Sequence, residues 1–431
     1  MAAQPAQAAA GFTVSGSRIL EANGNAFVMR GVNHAHTWYA DKLGSLADIK
    51  ALGANTVRVV LSSGDRWTRN EASDVTNVIT RCKANRLICV LEVHDTTGYG
   101  EDSAATTLAR AVDYWISIKS ALAGQERYVM LNIGNEPYGN TNAAGWVADT
   151  KNAITRLRAA GFEHSIMVDA PNWGQDWSFT MRDNAASVFA ADPQRNTIFS
   201  IHMYGVFDTA AEINDYLGRF ITAGLPIVVG EFGFNHSDGN PDEDTIMATA
   251  QSRGIGYLGW SWSGNGGGVE YLDLVTNFNA SALTSWGQRL FNGANGIKAT
   301  SREATVYGGT QPTTPATPPS SPPASPTTPP AGRQCTATYA VTGSWGSGFQ
   351  GAVTVTAGSA AITSWTVTWN WPSGQQFTNT WNASVTSSGA AVTAGNMPYN
   401  GSIPAGGSTS WGFTASSAGT NTAPTATCTA A

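Results

Sequence analysis

A proline-rich segment divides the chain and limits how it can fold. Residues 312–330, PTTPATPPSSPPASPTTPP, contain only Pro, Thr, Ser and Ala. This composition offers no large apolar side chains for a core, and closely spaced prolines favour an extended polyproline II conformation. At roughly 3.1 Å per residue, such a segment would span on the order of 60 Å. We therefore predict two separately folded regions joined by a Pro/Thr/Ser spacer over residues 307–333.

The region before the spacer, residues 11–306, alternates between strand-like and helix-like patterns. Its apolar runs are AFVMRGVNH, ANTVRVVLS, RLICVLEVHD, RYVMLNIGNE, HSIMVDA, TIFSIHMY, LPIVVGEF and GIGYLGWSW. Near-continuous apolar strands are typical of parallel sheets covered on both faces, and segments such as AGWVADTKNAITRLRAAG read as the intervening helices. Eight repeats of this kind predict an α/β fold, the (β/α)8 TIM barrel. A doubly wound open sheet is the alternative, but no GxGxxG motif follows any strand.

The last region, residues 334–431, has short alternating strands with Gly, Ser and Asn turns, which predicts a small all-β sandwich. It contains no Asp, Glu, Lys, Arg or His, so we expect it to bind a ligand rather than to perform acid–base chemistry. Cys335 and Cys428 lie near its two ends, which predicts a disulfide and an oxidising, extracellular environment. For Cys82 and Cys89 the sequence leaves two readings open, a second disulfide or two buried thiols.

Composition narrows the classes of partner. The formal net charge is −6 and charged residues make up 13% of the chain, while tryptophan is abundant at 15 residues. Neither nucleic acid nor a membrane surface is favoured by this charge, and no apolar run reaches 18 residues. A chain poor in charge and rich in tryptophan is better suited to an uncharged ligand made of rings than to an ionic one. Residues 1–10, MAAQPAQAAA, read as the remnant of a signal peptide or as a tag.

Two glutamates stand at the carboxyl ends of predicted barrel strands. Active sites of (β/α)8 barrels lie at this face, and Glu136 ends the fourth strand while Glu231 ends the seventh. Glycoside hydrolysis requires two carboxyl groups beside a sugar linkage, one to donate a proton and one that is ionised. A separation near 5–5.5 Å gives retention and about 6.5–9.5 Å gives inversion. The sequence alone does not fix this distance.

The motifs around these residues resemble those of family 5 glycoside hydrolases. NIGNEP, IHMY, VVGEFG and LGWSW, preceded by NTVRVV and LEVHD, are similar to the motifs of the clan with catalytic carboxylates on strands four and seven. RGVNHAHTWY, LEVHDTTGYGE and VDAPNWGQDW are more similar to the bacterial endo-β-1,4-mannanase branch than to the cellulases. The resemblance implies a retaining enzyme, active without a cofactor on mannan, galactomannan or glucomannan.

The same resemblance implies roles for the site residues. Glu136 would be the acid/base and Glu231 the nucleophile. The residues implied in substrate binding or support are Arg58, His94, Asn135, His202, Tyr204, Trp260, Trp262, Trp173 and His34. Either Trp260 or Trp262 could offer its ring to a sugar; strand alternation puts both on one side, and Trp262 is favoured because it is nearer the strand tip. Trp38, Trp173 and Trp177 are candidates for sugar subsites or for core packing.

The NHAH stretch raises a metal-dependent alternative. An HxH motif on a first barrel strand recurs in metal-dependent hydrolases, but such sites also need histidines at the ends of strands five and six and a late aspartate. Strand five ends in Asp169, so the set is incomplete and we expect no catalytic metal. His34 and His36 then serve as polar support for the sugar site.

The C-terminal region resembles a family 2 carbohydrate-binding module. GSWGSGF, TNTWNASV, PYNGSIPAGG and WGFTAS carry the resemblance. It implies a grip on cellulose through Trp345, Trp381 and Tyr399, although the third position is usually Trp. Trp365, Trp369 and Trp371 alternate on one strand face and are expected in the core.

Taken together, the sequence predicts a secreted, monomeric, retaining endo-β-1,4-mannanase anchored to cellulose. One alternative is an endo-β-1,4-glucanase on the same scaffold. The other is a non-catalytic polysaccharide-binding protein with a relic site.

Overall fold

The structure, a computed structural model, describes residues 11–309, 334–346, 348–397, 400–403, 406–416 and 423–430, with only the backbone of Thr342 and Trp345. The described residues form two compact units, one on each side of the proline-rich segment. The segment 1–10, most of the predicted spacer and Tyr399 lie outside the described residues, as does the side chain of Trp345.

The first unit is a closed parallel barrel, which confirms the predicted (β/α)8 fold. Within residues 11–309, hydrogen bonding runs in the circular order β10-β3-β4-β5-β6-β7-β8-β9. The barrel strands are β3 (Arg30–His34), β4 (Thr56–Leu61), β5 (Ile88–Val93), β6 (Val129–Asn132), β7 (Ile166–Asp169), β8 (Thr197–Met203), β9 (Ile227–Phe232) and β10 (Gly256–Gly259). Each pairs with the next in chain order, so the carboxyl ends meet at one face.

Helices surround the barrel and cover the outward apolar side chains. They are α1 (Ser45–Ala51), α2 (Ala72–Ala84), α3 (Leu108–Ser117), α4 (Lys119–Leu122), α5 (Trp146–Ala159), α6 (Thr180–Ala191), α7 (Ala210–Thr222), α8 (Glu243–Arg253), α9 (Ser285–Asn292) and α10 (Ile297–Thr300). Side-chain oxygens of Thr107, Thr209, Asp242 and Thr284 accept from the first turns of α3, α7, α8 and α9, which fixes where these helices begin. In the described residues, no helix combines the length and apolar character needed to cross a bilayer.

The amino end of the barrel is filled with apolar side chains. A hairpin of β1 (Thr13–Ser15) and β2 (Arg18–Leu20) covers this end. Phe12, Ile19 and Phe27 pack there against inward side chains of the strands, such as Val90 and Met130. The inner space is therefore closed below, and chemistry is confined to the carboxyl face.

The packed part of this unit extends past the predicted boundary at residue 306. Tyr307, assigned to the spacer from the sequence, packs its ring at a tilt against Tyr128 (centroids 5.6 Å apart) and donates a hydrogen bond to the carbonyl of Leu87 (3.0 Å). The assignment of Tyr307 to the spacer was wrong because its ring has partners that a sequence pattern does not reveal.

The second unit is an antiparallel sandwich, as predicted. In its described part the two sheets have the orders β11-β12-β17-β14 and β15-β16-β13-β18. Its strands are β11 (Cys335–Trp345), β12 (Gly348–Ala357), β13 (Trp365–Asn370), β14 (Gln376–Trp381), β15 (Ala383–Ser388), β16 (Ala391–Asn396), β17 (Ser408–Ser416) and β18 (Thr427–Ala430). Trp365, Trp369 and Trp371 are buried between the sheets.

The cysteines divide into one bonded pair and two thiols. Cys335 and Cys428 form the predicted disulfide, joining β11 to β18. Cys82 and Cys89 are free and buried, so the reading of a second disulfide is not supported. Cys82 lies on α2 and Cys89 on β5, and both belong to the core between helix and barrel.

Candidate active site

A layer of polar side chains crosses the barrel above its apolar floor. Alternation along each strand points every second residue inward. Val90, Met130 and Met167 belong to the floor, so the residues two positions later, Glu92, Asn132 and Asp169, also face the barrel axis. All three are fully or almost fully buried. Buried polar groups require partners, and one arginine lies within 4 Å of all three side chains.

Arg58, from the middle of β4, has no exposed surface. Its Nε donates to Asn132 Oδ1 (2.8 Å), Nη1 to Asn33 Oδ1 (2.9 Å) and Nη2 to Asn135 Oδ1 (2.6 Å). Asn33 lies on β3, whereas Asn132 and Asn135 lie at the end of β6 and just after it, so one planar guanidinium fixes the relative positions of amides from two strands.

The same guanidinium binds two carboxylates. Arg58 Nη1 donates to Glu231 Oε1 (2.7 Å) and Nη2 to Asp169 Oδ2 (3.0 Å), and Glu92 lies 3.9 Å away. Burial alone would lower the pKa of Arg58, but Asp169, Glu92 and Glu231 outweigh that effect and raise it. The residue is a permanent cation at the centre of the site.

A bulge between β8 and β9 turns Glu231 into the barrel. The register passes from Ile201 opposite Val229 to His202 opposite Glu231, so Gly230 is left out of the pairing. Simple alternation from the inward Val228 would have pointed Glu231 outward; the extra residue reverses its direction. Glu231 is 4% exposed as a result.

Glu136 follows β6 and faces Glu231. Its φ of 39° places it in the left-handed region, which non-glycine residues adopt mainly where surrounding contacts impose it. One oxygen of Glu136, one oxygen of Glu231 and one ring nitrogen of His202 lie within 4.8 Å of one another. The two carboxylates from strands four and seven therefore share one cleft.

His202 lies between three carboxylates. Its Nδ1 is 2.8 Å from Glu136 Oε1 and 3.5 Å from Glu231 Oε2, and its Nε2 is 3.3 Å from Asp169 Oδ2. Burial opposes protonation, but Glu231 and Asp169 raise the pKa of His202 to about 10. The ring therefore carries two N–H groups at neutral pH, one directed at Glu136 and one at Asp169.

Both oxygens of Glu231 receive hydrogen bonds. Arg58 donates to one oxygen and the Tyr204 hydroxyl donates to the other (3.0 Å). Burial raises the pKa of Glu231, and the cations His202 and Arg58 oppose that rise. Burial, followed by the charge of Glu231, also raises the pKa of Tyr204 well above its ordinary value, so this hydroxyl remains a donor.

Aromatic rings surround His94 at the rim. Trp260 stacks on its ring (centroids 5.7 Å apart, planes 19° apart), and Trp38 and Trp67 lie within 5.6 Å of it. His94 Nδ1 is 2.9 Å from Glu92 Oε1; burial would lower the pKa of His94, but Glu92 raises it. These rings offer apolar faces beside polar edges, which suits a pyranose.

The choice of Trp262 over Trp260 was wrong. Trp262 is 0% exposed and packs against Phe291 in the core between barrel and helices. The barrel strand ends at Gly259, so the alternation assumed for residues 260–262 does not apply. Trp260 is the strand-eight tryptophan that reaches the rim.

His34 does not reach the cleft either. It is fully buried, and its Nε2 bonds the carbonyl of Lys42 (3.3 Å). His36, also fully buried, lies 3.0 Å from Asp74. Neither ring is therefore placed to contact a sugar, and the role expected from the sequence, polar support for the sugar site, stays a prediction.

Glu136, His202 and Glu231 also present three ligand atoms close enough to hold a cation. Two features oppose this use. The guanidinium of Arg58 lies 2.7 Å from Glu231, and the raised pKa of His202 keeps a proton on the nitrogen a metal would need. The cluster fits acid–base chemistry better than metal binding.

Asn33, Glu92 and Asn132 are site residues that the sequence analysis missed, and Asp169 was recognised as the end of strand five but was given no part in the site. The family motifs direct attention to residues that follow the strands, whereas these four lie within the strands themselves. Alternation counted from the apolar floor would have found them, because a buried charge two residues after an inward apolar side chain must face a partner.

On the sandwich, Trp381 is the described member of the expected binding set. It is 37% exposed and lies opposite Gly412 in the neighbouring strand. A Cβ at Gly412 would come within 2.5 Å of the indole ring, so glycine lets the ring lie close to the sheet. Trp345 and Tyr399 cannot be placed beside it because their side chains lie outside the described residues.

A closed (β/α)8 barrel with two carboxylates in one cleft defines the general architecture of a glycoside hydrolase. Residues 20–266 match the description "Cellulase (glycosyl hydrolase family 5)", and residues 335–430 match "Cellulose binding domain". The chain belongs to glycosyl hydrolase family 5 and carries a C-terminal cellulose-binding domain.

Similar proteins have been named for mannan cleavage. A mannan endo-1,4-beta-mannosidase of Streptomyces lividans is 70% identical over 303 residues, covering 70% of this chain and 79% of that protein. Its counterpart from Cellvibrio japonicus is 57% identical over 305 residues, covering 70% and 71%. Among solved structures, the mannohexaose complex of Thermomonospora fusca beta-mannanase is 61% identical in sequence. It superposes with a TM-score of 0.68 and covers 69% of this chain and 99% of that one.

The raised pKa of His202 predicts a specific dependence of stability on pH. The pKa of His202 is about 10 in the folded protein, against an ordinary value of about 6.5. Protonation of His202 therefore makes its full contribution to the free energy of unfolding below about pH 6.5. That contribution is lost as pH rises towards 10. The unfolding free energy of the catalytic unit in the wild type should therefore fall more steeply over this range than in His202→Gln, by up to about 1.4 kcal/mol per pH unit.

Denaturant titrations of the full chain at several pH values measure the two slopes. An NMR titration of the His202 ring in the wild type provides a second readout that does not depend on the variant. Equal pH dependence of the unfolding free energy in the wild type and in His202→Gln, together with a His202 ring that titrates near neutral pH, would contradict the raised pKa of His202.

Proposed function

We propose that this chain is a retaining endo-β-1,4-mannanase with Glu136 as acid/base and Glu231 as nucleophile. The observation that carries the proposal is that one carboxylate oxygen of Glu136 lies within 4.8 Å of one carboxylate oxygen of Glu231. Oxygens this close favour the short carboxyl separation of retaining enzymes, about 5–5.5 Å, over the separation of about 6.5–9.5 Å that admits water in inverting enzymes.

The first step forms a glycosyl–enzyme bond. A Glu231 oxygen attacks the anomeric carbon while Glu136 transfers its proton to the departing oxygen, so the C–O linkage breaks as the ester forms. Arg58 and Tyr204 hold Glu231 in position and stabilise its negative charge. Asn135 is anchored through Arg58 and through Thr97 (2.8 Å), which aims its amide towards the sugar hydroxyl next to the anomeric carbon.

The second step returns the enzyme to its starting state. Glu136, now a carboxylate, takes a proton from a water molecule, which attacks the anomeric carbon and releases Glu231. The Nδ1–H of His202 donates to Glu136 in this state (2.8 Å) and stabilises the charge that forms there. Two inversions at one carbon give net retention.

Mannan is the substrate favoured by the similar proteins, since two that are 57% and 70% identical are named mannan endo-1,4-beta-mannosidase. An endo-β-1,4-glucanase remains the second candidate, since a relative from Caldicellulosiruptor saccharolyticus, 56% identical over 272 residues, is named for both activities.

The Cys335–Cys428 disulfide supports a secreted protein, because disulfides persist in oxidising, extracellular environments. The sandwich would hold the enzyme on cellulose and raise its local concentration at the cell wall.

Polymer preference tests the substrate assignment directly. The full chain should release reducing sugar from galactomannan and linear mannan at least tenfold faster than from carboxymethylcellulose. Cleavage of the glucan alone would reject the mannanase proposal, and no turnover of any polymer would support the relic-site reading.

Glu136→Gln and Glu231→Gln should separate the two roles. Both variants should lose about 10²–10⁴-fold or more in activity on galactomannan, since Gln neither donates the proton nor attacks. On 2,4-dinitrophenyl β-mannobioside, whose leaving group needs no proton, Glu136→Gln should still form the glycosyl–enzyme, whereas Glu231→Gln should not. Burst kinetics measure this difference, with circular dichroism as the control for folding. A burst in Glu231→Gln would refute its role.

Trp381→Ala tests the anchoring surface. Loss of the exposed indole should lower retention on microcrystalline cellulose while leaving turnover of soluble galactomannan unchanged. Gln376→Ala, an exposed residue at the other end of β14, is the matched control and should bind as the wild type does. Undiminished retention of Trp381→Ala would exclude this tryptophan from binding.

A further inference from the structure

Glu92 is a buried carboxylate for which the steps proposed above have no use. It is the fifth residue of β5, has no exposed surface and faces the barrel axis above Val90. One of its oxygens, Oε2, has no hydrogen-bond partner among the described residues. The other oxygen, Oε1, lies 2.9 Å from His94 Nδ1, whereas Arg58 Nη1 is 3.9 Å away. Because an ionised carboxylate is costly to bury without a donor or a cation, the contact with His94 is the one that requires an explanation.

Strand geometry places the two side chains one above the other. Residues two apart along a strand point to the same face, and β5 ends at Val93, so His94 stands at its carboxyl end directly above Glu92. The main chain then turns into a short 3-10 helix, His94–Thr96. The carbonyl of His94 accepts a hydrogen bond from the Thr97 hydroxyl (2.7 Å). The backbone and the ring of His94 are therefore each fixed by a separate contact.

The second ring nitrogen of His94 is open to the cleft. Among the described residues no group forms a hydrogen bond with His94 Nε2, which is not enclosed by protein, and the side chain is 11% exposed. The two N–H directions of an imidazole diverge, so a ring whose Nδ1 points down to Glu92 directs Nε2 away from it. With Nδ1–H bonded to an ionised Glu92, Nε2 carries a hydrogen, and can donate it, only when the ring is protonated.

The buried charges of the inner layer require one more cation. The carboxylates and cations in contact there are Glu92, Asp169, Glu231, Arg58 and the protonated His202. With Glu136 protonated, as the first step requires, these groups carry three negative charges and two positive ones. An unbalanced charge inside a barrel is costly. Protonation of His94, whose Nδ1 already contacts a carboxylate of this layer, brings the total to zero.

The surroundings of the His94 ring favour its positive charge. Trp260 stacks on the ring with its centroid 5.7 Å away, and the face of an indole at about this distance attracts a cation. Burial opposes protonation and Arg58 opposes it as well, whereas Glu92 and Glu231 favour it. The balance of these effects raises the pKa of His94 above its ordinary value.

Charged groups on the adjoining loops have partners of their own. Near the ends of β3, β4 and β5, neighbouring titratable side chains pair with one another: His36–Asp74, Lys42–Asp41, Arg66–Asp102 and Asp65–Arg110. Asp95, the residue after His94, accepts hydrogen bonds from the Ser62 hydroxyl and from three main-chain N–H groups. Asp273, on the loop after β10, accepts two from Asn265. The charges that act on the His94 ring are therefore those of the inner layer.

We propose that Glu92 is a positioning residue that keeps His94 protonated, so that its Nε2–H donates a charged hydrogen bond to a hydroxyl of the bound hexose. The proposal rests on the proposed roles of Glu136 and Glu231, which bring a sugar to this cleft. A charged donor binds a hydroxyl more strongly than a neutral one, and a neutral His94 would offer Nε2 only as an acceptor. Glu92 therefore acts on the substrate through His94, without touching it.

The protonation state of His94 tests the proposal without any substrate. In nitrogen NMR of the full chain with isotopically labelled histidine, both ring nitrogens of His94 should be protonated near pH 7, the signals being assigned by their absence from His94→Gln. In Glu92→Gln the amide oxygen can still accept from Nδ1–H, but the negative charge is gone, so the ring should titrate about 1–3 pH units lower than in the wild type. Glu303→Gln is the matched control; it removes a carboxylate paired with Lys50 and Arg86, and its His94 should titrate as in the wild type.

The pH profile of kcat/KM on 2,4-dinitrophenyl β-mannobioside provides the second readout. Because this leaving group needs no proton, the profile does not depend on proton donation by Glu136. Glu92→Gln should lose about tenfold near pH 8, where its His94 is neutral. The loss should shrink as the pH falls and the ring regains its proton. Glu303→Gln should match the wild type throughout.

Two results would overturn the proposal. One is a neutral His94 ring in the wild type near pH 7, which decides the question even if Glu92→Gln does not fold. The other is a loss of activity in Glu92→Gln that is the same at every pH and leaves the His94 titration unshifted, since a purely structural role predicts that result. Absence of turnover by the wild type would instead reject the mannanase assignment, and the ring titration would still decide whether Glu92 keeps His94 protonated.

Discussion

The buried guanidinium of Arg58 is the interaction on which the rest of the site depends. It donates five hydrogen bonds to side chains that lie on or just after four different barrel strands. Placing a cation inside a barrel costs several kcal/mol unless partners compensate, and here Glu231, Asp169 and Glu92 provide that compensation. The same contacts orient Glu231, the proposed nucleophile, and Asn135. One set of hydrogen bonds therefore both compensates the buried charge and aligns the residues of the proposed mechanism. A lysine could not replace it, because a single ammonium lacks the planar array of donors.

Strand geometry explains why this cluster forms where it does. An apolar floor and the β1–β2 hairpin close the amino end of the barrel, and the next inward positions carry the charges. His202 connects this layer to the rim by pairing with Asp169 below and Glu136 above. The ring thereby links the permanent charge of the inner layer to Glu136, the proposed acid/base.

The sequence was sufficient to predict the barrel, the sandwich and the terminal disulfide, because each has its own pattern in the sequence. These patterns are the apolar runs of the barrel, the alternating strands of the sandwich and the cysteines near its two ends. The sequence was less informative about where a side chain points when that direction depends on a neighbouring strand or on where a strand ends. Trp262 was preferred to Trp260 because alternation was extended past Gly259, where the strand ends. The inward direction of Glu231 depends on a bulge opposite β8, which no pattern within β9 predicts. Glu92 was missed because it lies within its strand, before the tip that the family motifs emphasise, and the packing of Tyr307 was missed because its partners are far away in sequence.

The central claim is that Glu231 attacks the sugar directly and that water enters only afterwards. The stereochemistry of the first product tests it most directly. Proton NMR of mannohexaose hydrolysis at early times, before mutarotation, should show new reducing ends as the β-anomer, the configuration of the cleaved linkage. Initial appearance of the α-anomer would mean a single displacement by water, and would contradict the account of how Arg58, Glu136 and Glu231 work together.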